Sequence, residues 1–203
     1  MSSLVYSTVN MKDKILEICK ENNGYITGKM AKDKGIPSTY LSRMAKDESL
    51  KRVAPGIYLN EEVIEDEFYI YYLSYPNIIF YRETALYLNG LSNNMLSDYY
   101  AILPYECNVP KKTNLKIKRT RKDTIDVGVT IIDTPYGNKC KCYDKERCIC
   151  DLFIYDDFEY EEKAYAINTY KEKYLNKEKL YSYAKKLGVY KEVFNVFEVI
   201  AWN

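Results

Sequence analysis

The stretch GYITGKMAKDKGIPSTYLSRM, residues 24–44, determines the fold expected for the first part of the chain. Thr27 is placed to cap a short helix over residues 28–34, because its hydroxyl can accept a hydrogen bond from a backbone N–H of the first helical turn. Gly35 follows, and glycine readily adopts the left-handed conformation that ends a helix. The stretch therefore predicts a capped helix that closes into a tight turn.

A second helix is expected over residues 39–46, with Ser38 as its N-cap after the turn at Ile36 and Pro37. Its apolar residues recur at helical spacing and should face the core. The outward face then carries hydroxyl, aromatic and basic side chains: Thr39, Tyr40, Ser42, Arg43 and Lys46. Serine, threonine and arginine can hydrogen-bond to base edges in the major groove of DNA, so this face is a candidate DNA reader.

The segments on either side complete the pattern. Upstream, apolar residues at helical spacing predict a helix over residues 12–21. Downstream, LKRVAPGIYL at residues 50–59 predicts a two-stranded hairpin, because Pro55 and Gly56 suit the central positions of a type II turn. Helix, short helix, turn, helix and hairpin is the order of a winged helix-turn-helix, in which the hairpin is the wing.

This order predicts which residues contact DNA. Lysine and arginine on the wing would bind phosphates, which position a protein on DNA without reading its sequence. A three-helix unit used only for protein contacts is the alternative. The candidate DNA-binding residues are Thr27, Lys29, Ser38, Thr39, Tyr40, Ser42, Arg43, Lys46, Lys51 and Arg52.

Charge is distributed unevenly along the chain. Its 203 residues carry a net charge of only +1, yet basic residues outnumber acidic ones between Met11 and Pro55. Acidic blocks at residues 61–67 and 156–162 offset this excess. The asymmetry favours a nucleic-acid-binding face on the first part of the chain, although solvation of a chain rich in lysine and tyrosine is the simpler explanation.

The composition also excludes several function classes. The chain has no histidine, which excludes Ser–His and Cys–His nucleophile pairs, histidine general bases and histidine-bound zinc. Any enzyme would have to use carboxylates, lysine, cysteine, tyrosine or a bound metal, and we expect no enzyme activity and no cofactor. No apolar run approaches the roughly 18 residues of a membrane helix, and the first residues lack the features of a signal peptide. These features predict a cytoplasmic protein without membrane contact, with its six cysteines reduced.

The pattern changes after residue 60, so we expect an α+β chain of two domains. Residues 1–60 would form the winged helix-turn-helix, and residues 61–203 a mixed α/β domain with a helical C-terminal tail from Tyr160. Asp144 is placed to cap a helix that runs to Tyr155. A further helix is expected at residues 82–89, and strands are expected at residues 77–81, 99–103, 115–121, 127–132 and 139–143.

Four motifs in this order resemble the AbiEi antitoxins of type IV abortive-infection toxin–antitoxin systems. They are GYITGKMAKDKGIPSTYLSRM at residues 24–44, LKRVAPGIYL at 50–59, FYRETALYLNGLS at 80–92 and YDKERCICDLF at 143–153. Each motif alone is weak, and together they sample the chain from about Gly24 to Phe153. The helical tail after Tyr160 matches less distinctively.

The resemblance implies a sequence-specific DNA-binding autorepressor that acts on its own promoter. It also implies an antitoxin that counteracts a partner toxin of the nucleotidyltransferase type, and in a type IV system this opposition need not involve direct binding. By the same resemblance, the residues that read DNA are Ser38, Thr39, Tyr40, Ser42, Arg43 and Lys46, with Lys51 and Arg52 on the wing.

A run of basic residues without an intervening acid marks a candidate second nucleic-acid surface: Lys111, Lys112, Lys116, Lys118, Arg119, Arg121 and Lys122. On a strand, Lys116 and Lys118 would share one face and form a positive ridge. Such a ridge could extend the DNA footprint or contact RNA. The alternative is an edge strand on which lysines prevent aggregation.

Two further patterns suggest chemistry that we do not expect. Cys140, Cys142, Cys148 and Cys150 lack the C-x2-C spacing of most structural zinc sites, so we interpret them as small buried thiols. Strand-end carboxylates would suit a metal-dependent nuclease targeted by the helix-turn-helix, and this is the alternative function. Their spacing is not diagnostic, and the residues concerned are Asp98, Asp126, Asp133 and Asp144.

Overall fold

The computed structural model describes residues 10–105, 114–120 and 123–199 and shows a mixed α+β chain. The chain divides into two compact units, Met1–Pro76 and Asn77–Asn203. None of the helices in the described part of the chain is long and apolar enough to cross a membrane.

The described part of the first unit contains four helices and one three-stranded sheet. The sheet has the order β1-β3-β2, and both pairings are antiparallel. In chain order the elements are α1 (Met11–Glu21), β1 (Tyr25–Thr27), α2 (Gly28–Asp33), α3 (Ser38–Lys46), β2 (Lys51–Ala54), β3 (Ile57–Leu59) and α4 (Glu67–Ser74).

Local signals set the helix boundaries in this unit. The Thr27 hydroxyl caps α2 by accepting a hydrogen bond from the backbone N–H of Met30 at 3.1 Å, as predicted. The predicted cap of α3 is wrong, because Ser38 is the first helical residue and the N-cap is Pro37, which offers no side-chain acceptor. Gly35 adopts a φ of +71°, in agreement with its predicted role as the helix terminator.

The larger of two apolar clusters in the described part of the first unit packs α1, α2 and α3 against the sheet. Its members come from α1, β1, α2, α3, β3 and the connecting turns, and they are Ile15, Ile18, Cys19, Ile26, Ala31, Ile36, Leu41, Met44, Leu50 and Tyr58. Most of the inward residues that helical spacing predicts for α1 and α3 are among them, and the other two, Met11 and Ala45, are partly buried against the cluster. This cluster fixes the orientation of α3 and thus determines which of its side chains face solvent.

Helix α4 belongs to the first unit, whereas the sequence placed a domain boundary after residue 60. Ile70 of α4 packs against Tyr25, Ile57 and Leu59 of the sheet. The Tyr25 hydroxyl also accepts a hydrogen bond from the backbone N–H of Asp66 at 2.8 Å. These contacts bury a tyrosine of β1 under α4, so the structural boundary falls after Pro76.

The second unit carries a five-stranded sheet and a helical C-terminal part. Its strands and the helices between them are β4 (Ile79–Phe80), α5 (Arg82–Leu88), β5 (Tyr99–Pro104), β6 (Leu115–Thr120), β7 (Val129–Asp133), β8 (Lys139–Tyr143) and α6 (Lys145–Ile154). A 3-10 helix at Asp123–Asp126 was not predicted. The tail comprises α7 (Tyr160–Lys173), α8 (Lys177–Leu187), α9 (Tyr190–Phe194) and a π-helical turn at Asn195–Val199.

The sheet mixes parallel and antiparallel pairs in the order β6-β5-β4-β8-β7. Strands β5 and β6 run parallel, as do β4 and β8, whereas β4–β5 and β7–β8 are antiparallel. Strand β6 therefore lies at an edge of the described sheet. Helix α6 packs against α5, α7 and α8 and is buried along most of its length.

Candidate nucleic-acid interface

The outward face of α3 is polar and exposed, as the sequence predicts. Leu41 and Met44 point into the core and hold the helix in place. The side chains that the helix presents to solvent are Thr39, Tyr40, Ser42, Arg43 and Lys46. The opposite sides of one short helix therefore provide an apolar anchor and a continuous hydrogen-bonding surface.

Two contacts orient side chains on this face. The Arg43 guanidinium carbon lies 5.9 Å from the centroid of the Tyr40 ring, within the range of a cation–π contact. The Ser42 Oγ lies 3.4 Å from the Tyr58 hydroxyl of β3. Within the described part of the chain Arg43 forms no ion pair, although its charge interacts with the nearby Asp47 carboxylate.

The hairpin lies beside α3 in the same unit and presents two cations. Lys51 and Arg52 on β2 are exposed, and the strand has a register irregularity between Arg52 and Ala54. Gly56 adopts a φ of +74°, which accounts for glycine in this turn. Its carbonyl accepts a hydrogen bond from the N–H of Gly28 at 2.8 Å, which ties the hairpin turn to the start of α2.

Lys51 has a partner that the sequence did not reveal. Its ammonium group forms an ion pair with Glu65, a residue just before α4. Because both side chains remain partly exposed, this pair stabilises the fold little. Glu65 instead reduces the positive potential of the hairpin. The acidic block at residues 61–67 is the sequence feature that could have indicated this ion pair.

The remaining candidates of the first unit occupy the edges of this surface. Lys29 and Ser38 are exposed, whereas Thr27 is half-buried. The Thr27 hydroxyl already caps α2. Ser38 begins α3, where backbone N–H groups lack helical partners and can bind an anion.

Strand β6 carries the described part of the second candidate surface. Lys116, Lys118 and Arg119 are exposed on it, whereas Lys111, Lys112, Arg121 and Lys122 lie outside the described residues. Lys116 lies 3.6 Å from an Asp98 carboxylate oxygen. The Arg119 guanidinium lies 4.9 Å from the centroid of the Tyr105 ring, and this ring is 45% exposed. Cations and an accessible aromatic ring thus occur together at the edge of the sheet.

The four cysteines at residues 140–150 are buried free thiols. Burial raises the pKa of the Cys142 and Cys148 thiols well above the ordinary value. Both sulfurs lie near one amide, because the Asn89 Nδ2 is 3.9 Å from the Cys142 Sγ and 3.6 Å from the Cys148 Sγ. Among the described residues, no cluster of three or more histidine, cysteine or carboxylate side chains is suited to a metal ion.

The carboxylates of the nuclease alternative have other roles. Asp98 and Asp133 pair with Lys116 and Lys139. Asp144 accepts a hydrogen bond from the backbone N–H of Arg147 at 2.9 Å and so caps α6. Asp126 lies in the 3-10 helix. In the part of the chain that the structure describes, these groups do not form a metal-binding cluster.

Sequence reasoning missed a buried ion pair on α6. The Arg147 Nε donates a hydrogen bond to the Asp151 Oδ1 at 2.8 Å, and both side chains are at most 5% exposed. The Arg147 Nη1 donates to the carbonyls of Thr124 and Val127 at 2.8 and 2.9 Å. The sequence does contain a signal for this pair: an arginine and an aspartate stand four residues apart in a segment otherwise rich in cysteine, isoleucine and leucine.

A family comparison agrees with the first two sequence motifs, whereas the motifs at residues 80–92 and 143–153 lie outside the match. Residues 13–60 match the family model described as "Transcriptional regulator, AbiEi antitoxin", which confirms the predicted resemblance over that stretch. No curated protein matches the chain. Solved structures do match, and one is the RV2827C protein from Mycobacterium tuberculosis, with a TM-score of 0.59 and 10% sequence identity. This match covers 86% of the present chain and 71% of that protein, and it shows similarity of fold alone.

Proposed function

We propose that the first unit is a winged helix-turn-helix DNA-binding domain. The proposal starts from the match of residues 13–60 to the family model of AbiEi antitoxin regulators. In this proposal the protein binds its own promoter and represses transcription. It also acts as an antitoxin that opposes a partner toxin of the nucleotidyltransferase type, with no requirement for direct contact between the two proteins.

The observation that carries this proposal is the exposed polar face of α3. Leu41 and Met44 anchor the helix, and Arg43 projects from the opposite side without an ion pair among the described residues. An arginine fork can bind the O6 and N7 atoms of guanine in the major groove. Ser42 and Thr39 add hydroxyl donors that can reach neighbouring base edges.

The rest of the surface would position the domain on the DNA backbone. Lys51 and Arg52 would bind phosphates beside the groove, and the free N–H groups at Ser38 would bind another. Lys29 would add a phosphate contact at the start of α2. In this arrangement α3 reads sequence, whereas the hairpin contributes affinity that depends on salt.

A binding titration tests the proposed function directly. The full chain is titrated against the DNA upstream of its gene and against a shuffled sequence, at several salt concentrations and without divalent metal. We expect tighter binding to the upstream DNA. Equal, weak binding to both sequences would contradict the repressor role, and DNA cleavage that requires added divalent metal would favour the nuclease alternative.

We predict that Lys51→Ala weakens binding to upstream and shuffled DNA alike and lowers the salt slope by about one unit. Glu65→Gln should have the opposite effect, because it removes the carboxylate that competes with phosphate for Lys51. In the Lys51→Ala background the Glu65→Gln effect should be much smaller. Lys20→Ala, which removes an exposed lysine of α1, is the matched control.

An unchanged salt slope in Lys51→Ala would remove the hairpin from the DNA footprint. A Glu65→Gln effect of equal size with and without Lys51 would show that Glu65 acts by general electrostatics. Neither outcome tests the role of α3, which is tested by comparing the affinities for upstream and shuffled DNA.

We also propose that β6 forms a second nucleic-acid surface. Support comes from Arg119 beside the exposed Tyr105 ring, because an aromatic ring next to a cation can stack on a base. Arg119→Ala should weaken binding to single-stranded RNA or to DNA that extends beyond the operator, as measured by fluorescence anisotropy. Unchanged affinity for both would favour the alternative, an edge strand protected by charge.

A further inference from the structure

A small cavity of about 60 Å³ lies in the second unit, between β6, the 3-10 helix and the end of α6. Its polar lining comes from Lys118, Thr120, Thr124, Tyr143, Arg147 and Tyr155. No acidic side chain is among the lining residues, all of which belong to the described part of the chain. Isoleucine and leucine side chains line the rest of the cavity, which has room for about four waters and so for one tetrahedral oxyanion.

Arg147 provides the main donor at this cavity. Its Nε and Nη1 groups are fixed by Asp151, Thr124 and Val127, which leaves the guanidinium little freedom. Among the described residues its Nη2 group makes no hydrogen bond, and it is not one of the buried atoms that lack a partner, so solvent reaches it and an occupant could bind it. A guanidinium held in this way matches the geometry of a phosphate oxygen pair.

Lys118 supplies a second cation at the mouth of the cavity. Its ammonium nitrogen lies 4.6 Å from the centroid of the Tyr155 ring, which also lines the cavity. Within the described residues, Lys118 has no carboxylate at ion-pair distance. The hydroxyl of Thr124 adds a neutral donor. The lining is therefore rich in donors and carries two positive charges.

Asp151 interacts electrostatically with both cations, and Asp157 interacts with Lys118. Asp151 bonds to the Nε edge of Arg147 and does not line the cavity. Removing an arginine from water costs several kcal/mol, and one carboxylate partner only partly offsets this cost. The carbonyls of Thr124 and Val127 and the Tyr143 ring, whose centroid lies 4.1 Å from the guanidinium carbon, offset more of it, and the Nη2 group can still bind an occupant of the cavity.

We propose that this cavity binds a phosphate group, either as inorganic phosphate or as the phosphate of a mononucleotide. Arg147 and Lys118 would bind its oxygens, and the Thr124 hydroxyl would add a hydrogen bond. This proposal does not depend on DNA binding by the first unit.

Calorimetric titration of the full chain with inorganic phosphate, at constant ionic strength set by sodium chloride, tests the site. We expect saturable binding of one phosphate per chain. Lys118→Met should weaken it by about tenfold or more, the usual worth of a hydrogen bond to a charged group. Lys173→Met removes an exposed lysine of α7 that does not line the cavity, and it should leave the affinity unchanged.

Adenosine monophosphate in a parallel titration distinguishes the two sources of phosphate. Tighter binding of the nucleotide than of inorganic phosphate, with the same loss in Lys118→Met, would identify a nucleotide site. Equal or weaker binding would identify free phosphate as the ligand. No saturable binding of either compound, or equal losses in Lys118→Met and Lys173→Met, would overturn the proposal.

Discussion

Replacing Arg43 by alanine is expected to reduce the affinity for the upstream DNA by about 1–3 kcal/mol, if its guanidinium reads a base edge. Arg43 is exposed on α3 and has no ion-pair partner among the described residues, so the variant should fold normally. The loss should be specific to the upstream sequence, because a base contact contributes nothing on shuffled DNA. Fluorescence anisotropy with both DNA molecules at one salt concentration measures it.

Arg52→Ala is the matched comparison for Arg43→Ala, because it removes the same side chain from the proposed phosphate-binding strand. It should weaken binding to the two sequences by similar amounts. An equal loss on both sequences in Arg43→Ala would instead make Arg43 a phosphate contact. In that case sequence reading would have to come from the hydroxyl and aromatic side chains of α3.

Replacing Arg147 by methionine is expected to destabilise the protein by about 3–5 kcal/mol at neutral pH, because it leaves the buried Asp151 carboxylate without its cation. The variant also removes two hydrogen bonds that hold the 3-10 helix and the segment after it. Urea unfolding followed by circular dichroism measures the free energy of unfolding. In Arg147→Met with Asp151→Leu, most of the loss should be recovered, because no unpaired charge remains buried.

The destabilisation in Arg147→Met should grow as the pH rises. Burial raises the pKa of Asp151 to about 6 in the native protein, above its value in the unfolded chain. The folded state therefore binds more protons between these two pKa values, and the free energy of unfolding falls as the pH rises through that window. Loss of Arg147 raises the folded pKa further and extends the fall to higher pH. A penalty of equal size at pH 5 and pH 8 would contradict this explanation.

Local chemistry in the first unit could be predicted from the sequence. These features act through a few neighbouring atoms. The structure shows the predicted cap at Thr27 and the predicted positive φ angles at Gly35 and at Gly56 of the hairpin turn. The assignment of Ser38 as a cap failed because Pro37 already provides extended backbone one residue earlier, so the helix begins at Ser38. Periodicity separated the buried and exposed faces of α3 correctly.

Long-range features could not be predicted in the same way. The parallel pairing of β4 with β8 joins strands separated by α5, β5, β6 and β7, and no local signal specifies it. The packing of α4 on the first unit depends on Tyr25 and Ile70 meeting across the sheet. The burial of the Arg147–Asp151 pair follows from the burial of α6 along most of its length, which depends on the packing of distant elements.

The division into two units has a consequence for synthesis on the ribosome. The first unit is one continuous segment that ends at Pro76, so all of its strands and helices leave the exit tunnel before most of the second unit is made. Domains generally fold as units in the order of their synthesis. The second sheet, in contrast, cannot close until β8 has emerged to pair with β4. A nascent chain would therefore present a folded α3 surface while its second unit is still incomplete.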